Sequence, residues 1–164
     1  MPTHRVNFSA SHSVQRTCLN GHIISNWAET ESEQMWCHKC GARTISACPA
    51  CDGPLKGGRK NLPQQPSKPD AYCMHCGKAL PWTEARLEAI RDVAKYVDGL
   101  NDEDRKILSE ILPDLASTEP TPRTELAIVK MKSLFKKGGS TFVDATRKLL
   151  VDVVSDAVKR RLFH

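Results

Sequence analysis

No run of about 18 apolar residues occurs anywhere in the 164-residue chain, so no segment reads as a membrane-spanning helix. The opening M-P-T-H-R-V-N-F-S-A-S-H-S lacks the apolar stretch of a secretory leader. The expected location is therefore the cytoplasm, where thiols stay reduced and structural disulfides are rare. Also missing are G-x-S-x-G, H-E-x-x-H and a glycine loop that would cradle phosphates, and the chain is read as non-enzymatic. Finally, no cysteine follows Cys76.

That last absence divides the chain. The seven cysteines are crowded between Cys18 and Cys76, where glycine and proline are scattered, whereas the sequence after Trp82 carries regularly spaced Leu, Ile, Val and Ala. Seven thiols in a reducing compartment point to metal before bridges. They fall into hooks: Cys37/Cys40, Cys48/Cys51 and Cys73/Cys76 are C-x2-C, and Cys18/His22 is C-x3-H. A C-x2-C turn aims both sulfurs at one tetrahedral ion. Counting His22 gives eight ligands, which completes two four-coordinate sites; without it one site is a ligand short. The plain alternative is that His22 is an ordinary loop histidine. His38 and His75 lie inside C-x2-C turns and are not counted, and His4, His12 and His164 carry no usable signal.

An internal repeat suggests which hooks share an ion. M-W-C-H-K-C-G-A and A-Y-C-M-H-C-G-K both place an aromatic before C-x2-C-G, while C-L-N-G-H-I-I and C-P-A-C-D-G-P-L both place aliphatics after a hook. The order is opener, closer, opener, closer. It predicts one Zn2+ on Cys18, His22, Cys37 and Cys40 and a second on Cys48, Cys51, Cys73 and Cys76. A cross-braced pairing of first with third and second with fourth hooks stays open, as does a compact site from the two central hooks. Each unit reads as a zinc ribbon, with strands at Ile23–Ser25 and Leu55–Lys56 returning at Gln34–Trp36 and Ala71–Tyr72. Gly41 and Gly77 would supply positive φ after the closing hooks. Trp36, Tyr72 and Trp82 are expected over the metal sites, as the largest pieces of a small core.

The expected fold is small α+β: tandem zinc ribbons, meaning short β-hairpins with Cys/His knuckles, followed by a small α-helical bundle. The boundaries read as a flexible arm at 1–16, one ribbon at 17–46, a second at 47–82 and a helical region of about four helices at 83–164. Thr83 and Asn101 are candidate N-caps, Gly99 and Pro113 candidate stops, and Leu126, Val129, Leu134 and Phe135 mark a third helix ending at Gly138-Gly139. A last and longest helix is expected from Ser140 or Thr141 to near Leu162.

Charge is uneven. Seven thiolates remove seven units and two Zn2+ return four, so the formal +5 becomes +2 and a global case for nucleic-acid binding largely disappears. Locally, residues 57–70 form a Pro/Gly-rich basic loop whose Arg59, Lys60 and Lys68 are candidate contacts to an acidic partner or a phosphate backbone. Residues 83–120 are net acidic and 121–164 net basic, which predicts attraction within one bundle. Lys159, Arg160 and Arg161 near the C-terminus form a candidate docking element for a protein partner, a second copy or an anionic membrane surface, the last disfavoured by acids on the same helix.

The ordered run C-L-N-G-H-I-I, W-C-H-K-C-G-A-R-T-I, C-P-A-C, Y-C-M-H-C-G-K and P-W-T-E, with the later T-P-R-T-E-L-A, resembles a family of small bacterial proteins of unknown function. The resemblance covers most of residues 17–164 and leaves 1–16 unmatched. It implies a stand-alone zinc-ribbon protein with a helical tail and implies no activity. The expected role is a non-enzymatic interaction or adaptor protein with two structural Zn2+. Nucleic-acid binding through the ribbons is the alternative, and a rubredoxin-like iron electron carrier on the all-sulfur Cys48–Cys76 set is a third reading.

Overall fold

A computed structural model of the chain describes residues 11–117 and 119–164. The chain divides into two compact units, one ending at Trp82 and the other beginning at Thr83.

The first unit is built from five very short strands: β1 (His12–Val14), β2 (Arg16–Cys18), β3 (Ile23–Ser25), β4 (Thr44–Ile45) and β5 (Lys56–Arg59). β1 pairs antiparallel with β5, and β2 lies between β3 and β4 in a three-stranded sheet. Residues 12–18 therefore run through both sheets, pairing first with the segment after Cys51 and then with the segments on either side of the Cys37 hook. This corrects the expected arm. Residues 11–16 are woven into the fold, whereas 1–10 lie outside the described residues. β1 and β2 also join the two ribbon segments, β1 pairing with β5 and β2 with β3 and β4.

The stitch is polar. Ser13, Gln15 and Thr17 alternate along this segment and all are buried. Thr17 Oγ1 donates to Gln15 Oε1 at 2.8 Å, Gln15 Nε2 donates to Asn26 Oδ1 at 2.9 Å, and the Gln15 N–H donates to the Leu55 carbonyl at 2.9 Å. Ser13 Oγ donates to the carbonyls of Asn26 and Gly58. A buried network of this kind stabilises only while every member is satisfied. Gln15→Ala is expected to cost about 1–3 kcal/mol, by leaving Asn26 and Thr17 with lost partners. Denaturant unfolding of the metal-loaded protein measures it.

The expected returning strands are reduced to isolated bridges, Trp36 with Arg43 and Tyr72 with Ala79. Trp36 is 61% exposed rather than part of the core. Trp82 is buried with Leu55, Leu80, Cys48 and Cys73, and its Nε1–H donates to the Asp70 carbonyl at 2.9 Å.

The second unit holds four helices: α1 (Pro81–Lys95, which begins at the end of the first unit), α2 (Asp102–Leu115), α3 (Pro122–Leu150) and α4 (Asp156–Phe163). Thr83 is not the cap of α1. The helix starts at Pro81, whose missing N–H costs nothing in a first turn, and Thr83 is buried inside that turn. Asn101 does cap α2, accepting from the Asp104 N–H while Asp104 accepts from the Asn101 N–H. Pro113 sits inside α2, two residues before its end. In α3 the buried face is Ala127, Ile128, Met131, Leu134 and Phe135, while Leu126 and Val129 face solvent, which corrects the expected stripe.

Gly139 breaks α3 with φ of 72°, where the sequence places a helix end. The expected long last helix is itself interrupted. Residues 151–155 leave the helix and Ser155 starts α4 by accepting from the Val158 N–H at 3.3 Å. A continuous apolar stripe hid that cap, because Val153 and Val154 stay buried through the break.

The predicted charge attraction is realised between helices. Lys137 Nζ donates to the buried Asp104 carboxylate at 2.6 Å, and Arg123 meets Asp114 at 3.3 Å. Lys137 holds Asp104 below the usual carboxylate range, so this contribution is complete above that range and is lost as pH falls through the lowered value. The melting temperature of the helical unit should therefore drop below about pH 4, and less so in Asp104→Asn. Gly99 is not the stop expected for α1, which ends at Lys95, and its role is in packing. A Cβ there would collide with the Lys137 carbonyl, so Gly99→Ala should destabilise the unit by about 1–3 kcal/mol, read from helical circular dichroism in denaturant.

Candidate metal centres

Each hook is a tight backbone turn, and three of the four are nearly superposable in their hydrogen bonds. The Cys37 N–H donates to Ala42 and the Gly41 N–H returns to Cys37, both at 2.8 Å; Cys73, Lys78 and Gly77 repeat the pattern at the same distances. Gly41 and Gly77 have φ of 72° and 71°, as the sequence predicts. The Cys48 hook uses the same turn with Asp52 at φ 59° in the glycine's place. Asp tolerates this left-handed region better than most residues.

The first hook is built differently. Its positive-φ residue, Gly21 (φ 86°), precedes the candidate ligand instead of following it, and the Cys18 N–H donates to the His22 carbonyl at 3.0 Å. The extra residue swings the imidazole inward. His22 Nδ1 lies 3.5 Å from Cys18 Sγ, 3.3 Å from Cys40 Sγ and 3.7 Å from Cys37 Sγ. All three sulfurs of the first set thus face one ring nitrogen.

The eight candidate ligands form two groups in consecutive order. Cys18, His22, Cys37 and Cys40 make one, Cys48, Cys51, Cys73 and Cys76 the other, with the donor atoms of each within 4.8 Å of one another. The cross-braced and central-pair arrangements do not fit these positions.

The spacing tests the fit of a metal. A tetrahedral Zn2+ with bonds of about 2.3 Å to sulfur and 2.0 Å to nitrogen sets S···S near 3.8 Å and S···N near 3.5 Å. The observed S···S separations are 3.7 Å for Cys18–Cys40, 3.9 Å for Cys48–Cys76 and 3.7 Å for Cys51–Cys73. A disulfide sulfur pair would stand at about 2.05 Å, and all seven cysteines are free.

Electrostatics make the same point. The Ala42 N–H, with the Asn20 amide, lowers the Cys40 thiol to about 6. The Gly53 N–H lowers Cys51, but burial and the crowding thiols of Cys76, Cys73 and Cys48 outweigh it and push that thiol up to about 12. Burial also raises Cys18, against the N–H groups of His22 and Asn20. Four sulfurs in mutual contact cannot all shed protons without a cation among them, and a dication reverses that balance.

The neighbours follow from the hooks. His75 is not a ligand; its ring lies where a side chain on Gly53 would be. His38 Nδ1 is 3.3 Å from Gln34 Nε2. Arg59, Lys60 and Lys68 lie in or after β5, with the Lys60 N–H donating to the Ser11 carbonyl at 3.0 Å, so the expected free loop is partly strand. At the C-terminus Lys159 pairs with Asp156 at 2.8 Å and Arg161 with Glu125 of α3, while Arg160 is exposed. Sequence reasoning missed Asn20 and the Ser13–Gln15–Thr17 spine. The signal for the spine was its period of two, written in polar residues.

Among the described residues no helix is long and apolar enough to cross a membrane. The model of a family described as "Uncharacterized protein conserved in bacteria (DUF2321)" matches residues 11–162. The match takes in residues 11–16, which the resemblance left out. No curated protein and no solved structure matches the chain.

Proposed function

The chain belongs to this bacterial family, and on that premise we propose that it is a non-enzymatic zinc-binding interaction protein. One structural Zn2+ sits on Cys18, His22, Cys37 and Cys40 and a second on Cys48, Cys51, Cys73 and Cys76. The carrying observation is that each group already contains four donors at tetrahedral spacing. A catalytic zinc keeps one position for water or substrate, and these sets leave none. The ions stiffen the first unit so that it can hold out side chains its own core does not use.

One such surface is a rung across the first centre. Leu19 donates its N–H to the Arg43 carbonyl at 3.0 Å, Arg43 bridges Trp36, and all three side chains are exposed. An exposed tryptophan beside an arginine is the composition of a protein-binding hot spot. The C-terminal cations support docking less well, because Lys159 and Arg161 are engaged within their own unit.

Elemental mass spectrometry of the purified protein should give two zincs per chain. An iron-loaded, coloured Cys48–Cys76 centre would replace the structural reading with electron transfer. Affinity capture should recover a protein with wild type that is lost with Trp36→Ser. A complex that instead dissolves with nuclease and weakens steeply with salt would make the partner a nucleic acid.

A further inference from the structure

The structure holds a second feature, lined by none of the candidate metal ligands. An open cleft of about 440 Å³ is lined by His12, Lys56, Arg59, Gln64, Gln65 and Pro66, together with the backbone at Gly57. That volume lies in the range of small-molecule sites. We propose that this cleft binds a phosphate group, carried on a small molecule of about nucleotide size.

The strand chemistry places the cations. Side chains of a regular strand alternate faces, so positions 56 and 59 should point to opposite sides. β5 breaks that rule: Lys56 and Arg59 are both exposed, and Gly57 and Gly58 between them are both buried. The register shows how. Arg59 pairs with His12 and Lys56 with Val14, so three steps on β5 match two on β1 and one extra residue is taken up as a bulge. His12, Arg59 and Lys56 consequently share a face. Bulges commonly re-aim side chains in this way at functional places.

The glycines are needed for packing as well. A Cβ on Gly57 would press on the Asn26 carbonyl and the Val14–Gln15 peptide, and one on Gly58 would strike Gln65 and the Trp27 ring. The opposite wall is tied down too. Gln65 Nε2 donates to the Leu62 carbonyl at 2.8 Å, Asn26 Nδ2 to the Pro66 carbonyl at 3.2 Å, and the Gly58 N–H to the Asn26 carbonyl at 2.9 Å. Two fixed-charge cations, an imidazole and the Gln64 amide thus face one space, and no carboxylate is among the described residues lining it. Phosphate suits that set: it accepts several charge-assisted hydrogen bonds at once, and arginine can engage it in bidentate fashion.

Titration calorimetry on the zinc-loaded full chain, in phosphate-free buffer at low salt, tests this with pyrophosphate, adenosine monophosphate and adenosine. Pyrophosphate and the monophosphate should bind and adenosine should not. Lys56→Gln with Arg59→Gln should weaken binding at least about tenfold while zinc content stays at the wild-type value. The comparison of monophosphate with adenosine stands even if the double variant folds poorly. Absence of binding by wild type, equal binding of adenosine, or unchanged affinity in a folded double variant would each overturn the proposal. So would a single-stranded oligonucleotide binding far more tightly than the monophosphate, which would assign the surface to a nucleic-acid backbone.

Discussion

Thorough chelation should unfold the first unit and leave the helices standing. The expected record is a loss of protease resistance up to Trp82, with most helical circular dichroism kept. The reason lies in what holds each unit. In the first, the apolar cluster is Cys48, Leu55, Cys73, Leu80 and Trp82, with Ile45 against it, so two of its five buried members are candidate metal ligands. Its strands are two to four residues long and its interior spine is hydrogen-bonded polar side chains. Segments this small do not bury enough surface to outweigh chain entropy, and a structural zinc contributes on the order of 10 kcal/mol or more. The second unit has its own interior in Leu87, Ile90, Leu108, Leu112, Met131, Phe142 and Leu150, all at most 2% exposed. Limited proteolysis before and after chelation, read by mass spectrometry, separates the units. An apo-protein whose first 82 residues stay resistant would remove the metal from the account of stability.

The difference between the units also explains what could be read from the sequence. Ligand hooks announce themselves because metal chemistry restricts residue type and spacing together, so all eight candidates were legible, as was the grouping the geometry adopts. Gly41 and Gly77 were legible for a similar reason, since a left-handed turn favours one residue. Asp52 occupies the same turn and went unread, because aspartate is common where no such turn exists. The Ser13–Gln15–Thr17 spine was invisible to hydropathy: its alternation is that of a strand, but it buries hydrogen bonds instead of methyl groups. Trp36 erred in the other direction. Size predicts burial, and only the rung with Arg43 shows the ring turned outward. In the helices, Asn101 and Gly139 acted locally and were legible, whereas the Ser155 cap was overridden on paper by apolar residues that happen to continue a stripe across the break.

His22 carries the other large effect. His22→Ala should lower the metal content from two zincs per chain to about one, or leave the second so weakly held that a colorimetric chelator removes it at once. Three thiols would remain at the first centre, and crowded sulfurs without a fourth donor invite a water ligand and faster exchange. The loss should spread, because β2 and β3 flank this hook and β2 is continuous with the spine that reaches β5. Removing one ligand is therefore expected to loosen the second ribbon as well, seen as faster chelator access to the Cys48–Cys76 centre. His22→Cys discriminates between a ligand and a merely packed ring. If Nδ1 is the donor its three close sulfurs indicate, a thiolate at residue 22 can restore fourfold coordination, and metal content should return toward two. An alanine variant that holds two zincs as tightly as wild type would show that His22 only packs against the site. The first centre would then require a donor other than the imidazole to complete it.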